Sequence, residues 1–313
     1  MMADTILRQT IIMLMLIMVG VFCSKAKLIS NDTNKQLSGF VLQVVNPAMI
    51  FMSYQTDYRS ELVEGLILSF AFSVGAFVVM IAVSYLLIRR KDGRDTEIER
   101  FSAIYSNCGF MGIPLVSSLF GMEGVFYLTA FITVFNIFVW THGIIMLSGE
   151  KDMKKVVKVF YSPTMIAIAL GLITFFLRLR LPSVPARAVN YIAELNTPLA
   201  MIVSGVTIAG TSLVRLLKKP SVYYVCFLRL LLIPAVISAL IAIPDVNYKV
   251  RMTVIVAAAA PPAAMCTLQC IRYGKNSLYS SEIFAFGTIL SVISLPLTVR
   301  LAEYLTKLIG RHC

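Results

Sequence analysis

Charge is scarce in this chain. Of its 313 residues 14% are charged and only 16 are acidic, whereas a soluble domain carries roughly 25% charged residues. Most of the chain is therefore not built to face water. Histidine occurs twice and tryptophan once, and there is no HExxH, CxxC or GxxxxGK[ST]. Those absences remove metalloprotease, dithiol-redox and directly ATP-driven mechanisms. Six cysteines are present, at positions 23, 108, 226, 266, 270 and 313, and five lie in or beside apolar runs with no His nearby. Neither a disulfide framework nor a metal site is expected, and no cofactor is implied. Cys266 and Cys270 share a helix face as small packing residues. Long polar segments are missing as well, so there is no place for a soluble domain.

Apolar sequence fills the space that charge leaves. Hydrophobic residues make up 58% of the chain, in stretches close to the roughly 20 residues that span a hydrocarbon core. The spacing predicts an all-α integral membrane protein of ten transmembrane helices. They fall at about Ile6–Cys23, Leu37–Tyr54, Leu62–Ile88, Phe101–Phe120, Val125–Leu147, Phe160–Leu177, Ala188–Leu213, Ser221–Ile243, Val250–Ile271 and Glu282–Leu308. The first run lacks a basic leader and a small-residue cleavage site, so it reads as a retained span rather than a signal peptide.

Net charge is +12, but the cations sit in the short breaks between spans. That placement reads as membrane orientation and not as a nucleic-acid surface. One set of loops, running from Lys25 to Lys275, holds 17 of the 28 Lys and Arg; the other, with both termini, holds 10. The richer side is expected in the cytoplasm, with both termini outside it, in a plasma (bacterial inner) membrane.

The two halves, 1–150 and 151–313, echo each other. The second span carries Asn46-Pro47 and the seventh Asn196-Thr197-Pro198. The fourth and ninth are the most interrupted, and each ends in an aromatic–Gly pair, Phe120-Gly121 and Tyr273-Gly274. Two units of five spans have opposite topology, which is the inverted-repeat pattern of secondary carriers. In the fourth span, Asn107-Cys108-Gly109 leads into Gly112-Ile113-Pro114-Leu115; in the ninth, four alanines precede Pro261-Pro262. Glycine loosens a helix and proline removes a backbone donor. Broken backbone survives in a membrane only inside protein or along a wet cavity. Two kinked helices packed through small residues are the plain alternative.

Paired breaks would aim unsatisfied N–H groups and positive helix ends at midmembrane, an arrangement suited to a carboxylate. Asn107 and Asn136 could donate to such an anion while staying neutral. Asn107 could equally cap its own helix, and Asn136 could bond a neighbouring helix. Arg229 is the single basic residue deep in a span and calls for a partner: Glu194 or the carbonyls of a broken helix, as a brace or as a substrate contact. His142, near the end of the fifth span, reads as an interfacial group or a proton relay. No span centre holds Asp or Glu, and that absence, with the single intramembrane His, argues against a membrane enzyme.

The run Asn107–Leu115 resembles the auxin efflux carrier family, which includes the plant PIN carriers and bacterial relatives. The resemblance extends along essentially the whole chain, through Asn46-Pro47, Asn136 with Trp140, Pro261-Pro262, Arg229 with Pro234, and Leu295-Pro296-Leu297. It implies a ten-helix carrier with inverted five-helix repeats, helices 4 and 9 crossing, elevator-like movement and a homodimer. It also implies a small organic anion as substrate, such as malonate or malate, held by Asn107, Cys108, Gly109, Asn136, Pro261 and Pro262. Breaks are expected at Gly109, Gly112, Pro114, Pro261 and Pro262, supported by Asn46, Pro47 and Arg229. The chain departs from the plant pattern in having only Gly149–Lys158 between its halves and no acid inside the third span, which points away from auxin. A sodium-coupled or channel-like transporter, or a sensor of another solute including indole acids, is the competing reading.

Overall fold

The computed structural model describes residues 2–90, 95–149, 160–211, 219–244 and 246–309. Many of the loop cations that set the expected orientation, including Lys91, Arg94, Lys151–Lys158 and Arg215, lie outside the described residues. Eleven helices are described: α1 Met2–Lys25, α2 Asn31–Ser53, α3 Ser60–Leu87, α4 Thr96–Ile104, α5 Cys108–Ser148, α6 Pro163–Phe176, α7 Ser183–Ala209, α8 Pro220–Ala242, α9 Tyr248–Ala259, α10 Met265–Arg272 and α11 Ser277–Ile309. Seven of them, α1, α2, α3, α5, α7, α8 and α11, are long and apolar enough to cross a membrane. The protein is all-α and multi-pass.

The other predicted spans are short or broken. The fourth is interrupted at Tyr105–Asn107 and the ninth at Ala260–Ala264. The sixth is the 14-residue α6. Ser30 and Ser162 start α2 and α6 by accepting the N–H groups of Thr33 and Met165, the usual N-cap bond. α5 is a continuous run except at Gly121, whose φ of 61° and ψ of −149° are essentially restricted to glycine. Gly121 therefore separates residues 108–120 from 122–148. Gly274, after α10, has a φ of 62°.

Burial follows the sequence pattern. Met15, Met18 and Phe22 on α1, Ile67 and Val78 on α3, and Ile293 and Leu297 on α11 are exposed, as hydrocarbon-facing side chains should be. The broken segments are instead enclosed: every residue from Val250 to Ala259 is buried, and so are Phe101–Ile104. α9 packs against α3, α5 and α8, and α10 against α11. α1 lies against α7, where their backbones nearly touch. A Cβ on Gly20 would stand 2.2 Å from the Ile202 carbonyl oxygen, and one on Gly205 2.0 Å from that of Ile17. Such close approach through small residues is how membrane helices gain packing energy.

Candidate functional site

The two interruptions cross. Tyr105–Asn107 and Pro261–Ala263 lie antiparallel, with Ser106 opposite Pro262. The Asn107 N–H donates to the Pro261 carbonyl at 2.8 Å, and the Ala263 N–H to the Tyr105 carbonyl at 3.0 Å. Each segment thereby supplies partners that the other's broken helix lacks. Pro262 seats against Gly287 of α11, where a Cβ would come within 2.5 Å of the proline ring. Pro261 and Pro262 thus stand in the break itself. Gly109, Gly112 and Pro114 do not: the chain breaks ahead of them, and they form a π turn, Cys108–Gly112, and the first turn after it. The reason is local. Pro114 has no N–H to donate, and it stands just after a π turn, where the regular i→i−4 ladder is already interrupted.

Four helix ends converge on the crossing. The C-termini of α4 and α9 meet at Arg229, which is fully buried. Its guanidinium donates to the carbonyls of Ala103 and Ile104 from α4, and to those of Ala258 and Ala260 at the end of α9, at 2.6–3.1 Å. A fixed cation facing two negative helix ends is favourable on dipole grounds, and the carbonyls are otherwise orphaned. Arg229 is a brace across the crossing. Glu194 is exposed and accepts from Asn190 instead.

The N-termini of α5 and α10 face a cavity of about 690 Å³. Asn107, Gly109, Ser106, Ala263 and Met265 line its floor. The first bond within α5 is from the Met111 N–H to the Asn107 carbonyl, so the N–H groups of the opening turn have no intrahelical acceptor. Asn107 is 4% exposed, and its side-chain Nδ2 has no partner; the buried Ser106 hydroxyl is likewise unpaired. The opposite wall comes from α2 and α7, through Asn34, Ser38, Gln43, Ser204 and Thr207. Lys35 is the charged residue among those lining the cavity, near the mouth, which opens beside Asn31 at the start of α2, Gly210 at the end of α7 and Ser277 at the start of α11.

Of the six residues expected to contact substrate, Asn107 and Gly109 reach the cavity; Cys108, Asn136, Pro261 and Pro262 are not among its lining residues. Asn136 turns its amide back to the Ile132 carbonyl at 2.8 Å, and Phe135 takes the wall position beside it. Asn46 and Asn196, the matched asparagines of the two halves, meet: Asn196 Nδ2 donates to Asn46 Oδ1 at 2.6 Å. Asn46 Nδ2 also lies 3.5 Å from where a Gly109 Cβ would sit. His142 is bonded by Tyr105 at 2.8 Å and Tyr85 at 3.2 Å. Sequence reasoning missed Ser106 and Gln43. Gln43 carried a usable signal, an uncharged amide three residues before Asn46 in an apolar span.

Known proteins similar to this chain are transporters by name. An uncharacterized transporter of Methanothermobacter thermautotrophicus is 28% identical over 299 residues, covering 91% of this chain and 94% of its own. A protein of Rhizobium meliloti with the name "Putative malonate transporter" is 23% identical over 270 residues, covering 82% and 83%. An uncharacterized transporter of Methanocaldococcus jannaschii is 24% identical, covering 89% and 93%. The profile described as membrane transport protein matches residues 5–160 and 151–299. The chain therefore belongs to the membrane transport protein family, and it is a transporter and not an enzyme.

Proposed function

We propose that this transporter is a secondary carrier of a small organic anion, a carboxylate such as malonate or malate. One observation carries the reading. A buried, unpartnered amide donor at Asn107 stands at the floor of a cavity, beside two helix N-termini whose partial positive charge favours an anion. The name borne by the Rhizobium relative agrees with a carboxylate. Full ionisation of the guest needs no buried lysine at the floor, because amides and helix ends hold it while the empty site stays neutral.

The fold is read as ten crossings in inverted halves, 1–150 and 151–313. Support comes from the paired Asn46 and Asn196, the positive φ shared by Gly121 and Gly274 at the matched aromatic–Gly pairs, and the antiparallel crossing. Movement is read as an elevator. Arg229, Lys219–Glu282 and Lys249–Glu123 tie α3–α5 and α8–α11 together, while Asn34–Thr207 and Asn46–Asn196 tie α2 to α7. The first group would carry the site past the second in a homodimer, in a bacterial inner membrane with both termini outside the cytoplasm. Saturable counterflow of labelled malonate in proteoliposomes tests the carrier reading. Flux that is conductive and does not saturate would replace it with a channel.

A further inference from the structure

Four π turns interrupt the described helices: Val41–Val45, Cys108–Gly112, Val139–Gly143 and Leu228–Leu232. A π turn is rare and frequently marks a functional site. Three of them have visible tasks. Cys108–Gly112 opens the half-helix at the crossing, Val139–Gly143 holds His142 against two tyrosines, and Leu228–Leu232 delivers Arg229. At the centre of the fourth is Gln43, an exposed amide in an apolar helix that lines the cavity and enters none of the hydrogen bonds of the described residues.

Its position says what it could serve. The turn is closed by the Asn46 N–H donating to the Val41 carbonyl, five residues back, and both Leu42 and Gln43 line the cavity. Asn46, three residues further on, places its amide over Gly109 at the cavity floor. Three residues of helix rise about 4.5 Å, so Gln43 stands roughly one turn from the floor toward the mouth, on the wall across from Asn107. A monocarboxylate held at Asn107 would leave that amide unanswered. An acid with a second polar end a few ångströms away would reach it.

We infer that Gln43 is a second substrate-contacting residue, whose side-chain amide donates to the far carboxylate of a short dicarboxylate bound by its near carboxylate at Asn107. This rests on the proposed anion site and adds its length and valency. Lys35, two turns nearer the mouth on α2, extends the same wall, its exposed ammonium paired with Asp32 at 3.5 Å.

The test is calorimetric titration of the purified full chain with malonate and with acetate. Wild type should bind malonate more tightly than acetate. Gln43→Leu should weaken malonate by roughly ten- to a hundredfold, the loss of one charge-assisted bond, and leave acetate within about threefold. Gln43→Glu should weaken malonate further through like charge. Asn107→Ala should weaken both acids. Should wild type bind neither acid, or Asn107→Ala change nothing, the anion site itself fails and this inference with it. Should Asn107→Ala act while Gln43→Leu keeps the wild-type malonate-to-acetate ratio, Gln43 alone is excluded. A fall in the ligand-free melting temperature of both Gln43→Leu and Gln43→Ser would reassign the amide to the fold.

Discussion

Replacing Arg229 by Met removes a cation while keeping most of its volume. The guanidinium makes five hydrogen bonds to four carbonyls, two on each broken helix. Each buried acceptor left without a donor costs about 1–3 kcal/mol, so four would cost roughly 4–12 kcal/mol if nothing relaxed. Against this stands the desolvation of a fully buried cation, several kcal/mol, which the variant no longer bears. The net loss should be a few kcal/mol, the difference between these two opposing amounts. Arg229→Lys should fall between, because an ammonium has three donors and no fork. The assay is thermal unfolding in detergent, joined to hydrogen exchange of the Asn107 and Ala263 amides that pair across the crossing. Both amides should exchange faster in Arg229→Met, and uptake should be abolished. An unchanged melting temperature with unchanged protection at those two amides would refute the brace.

Other substitutions read other parts of the account. Gly205→Val should destabilise the fold severely, since its new side chain meets the Ile17 carbonyl, which is backbone and cannot move aside; expression and melting temperature check it. Asn136→Ala should leave carboxylate affinity within about threefold, because its amide is occupied by its own helix and a neutral hydrogen bond is worth only about 1 kcal/mol. Tyr54, which caps the end of α2, donates to Thr129 of α5 at 2.5 Å, the Thr129 hydroxyl being spent on the Phe126 carbonyl. Tyr54→Phe removes a buried tie between the proposed moving group and the helices it slides past, so it should raise accessibility of a cysteine placed at Ser106 from the side opposite the cavity mouth in a labelling assay.

Much of this arrangement could be read in advance because lipid leaves backbone few choices. Gly and Pro residues in two apolar runs announced breaks, and the breaks do meet. The position of the first one was misjudged: glycines and a proline look like the weak point of a helix, but here they fit its first turns, and the true interruption at Tyr105–Asn107 contains neither. Asn136 misled for a related reason. A polar side chain in a membrane helix needs a partner, and a carbonyl four residues back is always within reach, so polarity alone does not say which way it points. The role of Arg229 was half visible, since burial demanded acceptors but sequence could not choose between Glu194 and carbonyls. Helix count by length gives seven: the sixth expected span is the 14-residue α6, the ninth is divided between α9 and α10, and most of the fourth and fifth share the single run α5.

The most direct test of the central claim is the affinity of malonate for wild type and for Asn107→Ala, measured by titration on protein of equal ligand-free stability. The account predicts saturable binding to wild type that weakens by roughly ten- to a hundredfold when the amide is removed. Equal affinity in the two proteins would place any anion site away from the crossing and contradict it.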